Sequence, residues 1–133
     1  MKIEAIEGIG PTFAAKLGEA GIRTTEGLLK AGASRKGRMD LAEKTGIPDS
    51  KILEWVNRAD LMRVKGVGEE YSDLLEAAGV DTVKELRNRN AENLFNAMLK
   101  VNEEKKLVRR PPSQKEVTGW VEAAKGLEPV VTH

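Results

Sequence analysis

The chain has 133 residues, of which 40% are hydrophobic and 32% charged, with 22 Lys and Arg against 21 Asp and Glu for a formal net charge of +1. This suits one folded domain or two very small ones, and excludes a disordered tail or a strongly polyanion-seeking protein. With no Cys and a single His, His133, there are no disulfides, no Cys or His zinc site, no Cys nucleophile and no Ser-His-Asp arrangement held inside a fold. Aromatic residues are only 4%, so the core must be aliphatic.

Along the chain, Ile3 and Ile6 lead into Gly8-Ile9-Gly10. Pro11 suits the first position of a helix that stops before Gly21. A further helix is expected over Arg35–Thr45, and Gly46-Ile47-Pro48 breaks the chain before the next. That one presents Ile52, Trp55, Val56 and Ala59 at the i, i+3, i+4, i+7 spacing of one helix face. Leu61 and Val64 then precede a second elbow, Gly66-Val67-Gly68. Its following helix shows Tyr71, Leu74, Leu75 and Ala78 on one face and stops at Gly79. Thr82 with Glu85, and Ser113 with Glu116, have capping-box spacing, and a helix is expected over 91–101. Pro111-Pro112 precedes the helix carrying Val117, Trp120, Val121 and Ala124. No segment alternates as a strand does, so the fold class is all-α.

The segment from Ile6 to Thr24 recurs from Val64 to Thr82, 58 residues later, aligning Gly8 with Gly66, Gly10 with Gly68, Phe13 with Tyr71, and Leu17 with Leu75. The tryptophan faces match at a spacing of 65, so the second unit holds seven extra residues between these landmarks. Trp55 and Trp120 are expected as core anchors.

Each Gly-hydrophobic-Gly elbow, with Ala14 or Ser72 four positions after its second glycine, resembles a helix-hairpin-helix motif. Glycines allow the tight turn, the central Ile9 or Val67 plugs the space between helices, and the small residue permits close approach. Free amides at the following helix N-terminus can hold a phosphate oxygen. Other glycine motifs do not fit. Phe13 occupies the third-glycine place of a dinucleotide fingerprint, and Arg38-Met39 replaces the Lys and Ser/Thr that a phosphate loop starting at Gly32 requires.

The whole chain resembles the bacterial domain-of-unknown-function family 4332 in Ile6-Glu-Gly-Ile-Gly-Pro, in Ala59-Asp-Leu-Met-Arg-Val-Lys-Gly-Val-Gly, in the Leu74 to Leu86 segment and in the Val101 to Ser113 segment. The resemblance implies duplicated helix-hairpin-helix units and no established activity. The expected architecture is two tandem helix-hairpin-helix-containing units, SAM/helix-hairpin-helix-like, packed as one compact body. They cover 1–61 and 62–126, with a tail at 127–133.

The chemistry available is that of a binding module. Thr12 and Lys16 stand ready to help Gly8, Ile9 and Gly10 hold a phosphate, whereas Glu69 and Glu70 open the second helix and repel one. Gly66, Val67 and Gly68 are therefore expected to serve as a structural hairpin. Arg35, Lys36 and Arg38 form one basic cluster, and Lys105, Lys106, Arg109 and Arg110 another, paired at i, i+4 if that stretch is helical. Carboxylate pairs such as Asp40/Glu43 and Glu103/Glu104 are ordinary on helix surfaces, so no catalytic residue, cofactor, metal or small-molecule substrate is expected. The near-neutral charge slightly favours a protein partner, with sequence-independent binding to nucleic-acid backbone as the alternative. No membrane association is expected, and the chain reads as cytoplasmic.

Overall fold

The computed structural model describes residues 1–133 and is all-helical, with eight α-helices. It divides into a first unit of Met1–Asp60 with Val130–His133 and a second of Leu61–Pro129. The segment 127–133, expected as one tail, is thus shared out: it belongs to the second unit through Pro129 and to the first from Val130.

In the first unit a single 3-10 turn, Ile3–Ala5, precedes α1 (Pro11–Glu19), α2 (Thr25–Gly32), α3 (Arg35–Thr45) and α4 (Asp49–Leu61), whose last residue, Leu61, begins the second unit. Pro11 opens α1 where its missing N–H costs nothing. At the other end the Gly21 and Ile22 amides turn back onto the carbonyls of Gly18 and Leu17. Thr24 Oγ1 and Ser34 Oγ accept the amides of Gly27 (2.9 Å) and Gly37 (3.0 Å), capping α2 and α3. Ile6, Leu17, Leu28, Ile47, Ile52 and Trp55 are buried to build the core. A Cβ on Gly32 would lie 2.6 Å from Val56 Cγ2, so the end of α2 meets α4 where only a glycine fits.

Arg38, placed by sequence in a surface basic cluster, is turned inward instead. Its guanidinium donates to the carbonyls of Gly32 (2.9 Å), Ala33 (3.0 Å) and Thr132 (2.6 Å), and burial lowers its pKa. The physical reason is the end of α2, whose unpaired carbonyls need donors. Arg38 supplies them, and the Thr132 amide adds one at 2.8 Å to Ala33.

The second unit holds α5 (Glu69–Ala77), α6 (Val83–Leu86), α7 (Ala91–Lys105) and α8 (Gln114–Lys125). Leu74, Leu75, Leu86, Leu94, Met98 and Val117 are sealed in its core, with Trp120 against them. Ser113 and Glu116 complete a capping box on α8. Thr82 supplies only half of one: its hydroxyl accepts the Glu85 amide at 3.3 Å, but the Glu85 carboxylate reaches Arg89 one turn on. Helix α7 runs four residues past the expected 101 and ends at Lys105, with Lys106 in the left-handed region at φ 53°. Asn102 explains the stop. Its side chain accepts the Val108 amide (2.9 Å) and donates to the Val108 carbonyl (3.3 Å), folding the chain away from the helix. Lys105/Arg109 and Lys106/Arg110 are therefore not the i, i+4 helical pairs expected.

Candidate functional site

The elbow of the first unit is built by two backbone hydrogen bonds, from the Ile6 amide to Ile3 O and from the Ile9 amide to Ile6 O, both 3.1 Å. Gly8 carries φ 95°, a conformation that a side chain resists, and Ile9 is buried. Arg58, itself buried on α4, donates to Glu7 O at 3.3 Å and pairs with Glu54 at 3.6 Å, bracing the turn from outside. The second unit repeats this local pattern: Val64 bonds to Leu61 O (3.1 Å), Val67 to Val64 O (3.0 Å), and Gly66 carries φ 93°.

Beyond each elbow stands a glycine at the helix N-cap, and neither cap has a side chain to accept the first amides. In α1 the Ala14 amide reaches Gly10 O at 2.9 Å, whereas the amides of Gly10, Thr12 and Phe13 find no acceptor. Gly10 has φ −87° and ψ −174°, backbone open to any residue, and a Cβ there would touch nothing. Neither conformation nor crowding requires its lack of a side chain. The glycine leaves uncovered the Thr12 and Phe13 amides, one of which Ser or Asp in its place would cap.

What surrounds the amides differs between the two caps. Thr12 and Lys16 are exposed on α1. Lys51 of α4 joins them with its Nζ 5.9 Å from the centre of the Phe13 ring. Phe13 in turn packs edge-on to Trp55, centroids 5.1 Å apart. Sequence reasoning missed Lys51, although its place four residues before Trp55 puts it on the same side of α4. At α5 the first-turn residues are Glu69 and Glu70, both exposed, which offset the positive end of the helix themselves. Ser72 is buried, its hydroxyl donating to Glu69 O at 3.0 Å.

Trp55 and Trp120 are both buried. Tyr71 stands to Trp120 as Phe13 does to Trp55, with centroids again 5.1 Å apart.

The four cations expected as one cluster divide. Lys105, Lys106 and Arg109 are exposed. Arg110 is held by Glu116 through two hydrogen bonds (3.0 and 3.1 Å), and its carbonyl accepts the Tyr71 hydroxyl at 2.9 Å. This cluster lies in the second unit, and the Gly8-Ile9-Gly10 elbow in the first.

The chain is thus an all-helical protein carrying two elbows of one local design, each with an uncapped helix behind it. It belongs to the family described as Domain of unknown function (DUF4332), whose model matches residues 7–127. It is also similar to the poly(3-hydroxyalkanoate) polymerase subunit PhaC of Haloferax mediterranei, 38% identical over 56 residues. That stretch covers 42% of this chain and a tenth of the relative's length. No solved structure matches. No helix is long and apolar enough to cross a membrane.

Proposed function

We propose that the chain is a non-catalytic tandem helix-hairpin-helix module whose first hairpin holds the phosphate backbone of nucleic acid without reading sequence. The observation that carries this reading is the N-cap of α1. Gly10 leaves the amides of Thr12 and Phe13 without the acceptor that a capping side chain would offer one of them, although such a side chain would fit there, and its own amide is unpaired beside them. A phosphate oxygen is the acceptor such a cap suits, because amides and helix dipole act on it together. Thr12 adds a hydroxyl, and Lys16 and Lys51 add positive charge. The second hairpin, closed to anions by Glu69 and Glu70, serves packing.

Lys105, Lys106 and Arg109 offer a second, independent basic contact in the other unit. The net charge of +1 implies modest affinity that depends on local cations rather than on the field of the whole molecule.

A protein-interaction scaffold is the second reading, supported by a shallow groove on α3. There exposed Met39 lies among Arg35, Lys36, Asp40 and Glu43. The first hairpin offers the stronger chemistry, since its polar groups lack partners and those of the groove are ordinary solvated side chains.

The test is anisotropy of labelled duplexes of unrelated sequence over a range of salt. Similar affinities for all, falling log-linearly with salt, support backbone binding, and each lost phosphate contact should lower the slope by about 0.9. Affinity for one sequence alone, or no retention at low salt, overturns it.

A further inference from the structure

We infer that the indole N–H of Trp55 is a further donor to the anion held at the first hairpin, acting beside the amides of Gly10 and Thr12. This rests on the phosphate-binding reading above and adds to it a residue from a different helix.

The observation is an orphaned donor. Trp55 is 1% exposed, and its Nε1 has no hydrogen-bond partner. Asn57 Oδ1 is the one side-chain polar atom that is both sealed from solvent and unpartnered, so the Trp55 N–H opens to the surface. It does so beneath the elbow: a Cβ on Gly8 would lie 3.3 Å from Nε1, nearer to it than to any other atom. The missing side chain at Gly8 thus uncovers the nitrogen as well as permitting the turn. Phe13, whose own amide is free, rests its ring against the same indole.

The Trp55 N–H has no acceptor within the protein, and a ligand oxygen reaching it takes the place that water otherwise fills. An indole N–H donates and never accepts, so the complementary group is an acceptor. Among the cations of this surface that group is an oxyanion. The second unit provides an internal comparison, since Trp120 presents its Nε1 3.1 Å from the Cβ position of Gly66. There Glu69 and Glu70 stand at the helix opening, and no anion is expected to reach it.

The experiment follows the two indole N–H resonances of the 15N-labelled full chain during titration with a short duplex at low salt, together with the backbone amides of Gly10 and Thr12. The Trp55 indole is expected to move downfield and saturate with the Gly10 and Thr12 amides, while that of Trp120 stays. Amides that saturate beside an unmoved Trp55 indole would overturn the inference and leave backbone binding standing. Amides and indole all unmoved would overturn both. Trp55→benzothienylalanine, which keeps the ring's shape and lacks the N–H, should bind duplex about tenfold more weakly with unchanged unfolding. Affinity equal to that of the unmodified chain would contradict the role.

Discussion

Arg110 grips Glu116 through both carboxylate oxygens, at 3.0 and 3.1 Å, while the same carboxylate accepts the Ser113 amide at the start of α8. One ion pair thus closes a helix cap and pins the loop leading into it. The Tyr71 hydroxyl, bonded to Arg110 O, extends the contact to α5. Arg110 is a structural cation, which separates it from its neighbour Arg109.

This pairing sets a pH dependence. The hydrogen bonds from Arg110, followed by those from Ser113, lower the Glu116 pKa from 4.5 to about 2. A carboxylate with a depressed folded-state pKa contributes stability above its unfolded value and loses it as pH falls through the folded one. The Glu116 contribution should therefore be complete above about 4.5 and fade toward about 2. Glu26, lowered to about 2 by its hydrogen bond with the N-terminal ammonium, titrates in the same window. The comparison is therefore between the parent chain and Glu116→Gln: urea midpoints should differ at neutral pH and converge below the window. A difference that persists unchanged into strong acid would refute the assignment.

The elbow predicts a stability cost independent of any ligand. Gly66→Val places a β-branched side chain at φ 93°, with its Cβ 3.1 Å from Trp120 Nε1. Backbone strain alone costs roughly 1–2 kcal/mol, and the indole must shift as well. Chemical denaturation should show a clearly lower midpoint with an unchanged slope. An equal midpoint would contradict the turn geometry.

Lys106 separates stability from binding. It occupies the left-handed position ending α7, its amide on Asn102 O, and a side chain there is unfavourable. Lys106→Gly should raise stability by about 1 kcal/mol. If the exposed cluster contacts phosphate, the same change should lower duplex affinity and reduce the salt slope by about 0.9. Thermal melts and anisotropy on one preparation read both.

Much of the fold was legible in the sequence because its signals are local. Pro11, Gly21, Ser113 with Glu116, and the tryptophan faces each act within a turn or two of their own position. What escaped depends on contacts distant in sequence. The charges of Arg38 and Arg110 looked like surface charge, and only the carbonyls of Gly32, Ala33 and Thr132, or the carboxylate of Glu116, reveal their roles. Asn102 gave no sign that it would end α7, because its partner is a loop backbone. Helix α2 was not singled out beforehand, although Thr24 caps it as Thr82 caps α6. At the candidate site Gly10, Thr12 and Lys16 were visible as a motif. Lys51 and the Trp55 N–H come from α4 and became neighbours only on folding.

The central claim is that the uncapped start of α1 is left open for a phosphate, and Gly10→Asp tests it most directly. The backbone at Gly10 accepts any residue and a Cβ there meets nothing, so Asp can cap the helix without strain. Denaturation and duplex anisotropy should be measured together for this variant and for Gly68→Asp. The account predicts that Gly10→Asp holds or raises stability while weakening duplex binding at least about tenfold, and that Gly68→Asp leaves binding unchanged. Duplex affinity undiminished in a stably folded Gly10→Asp chain would contradict it.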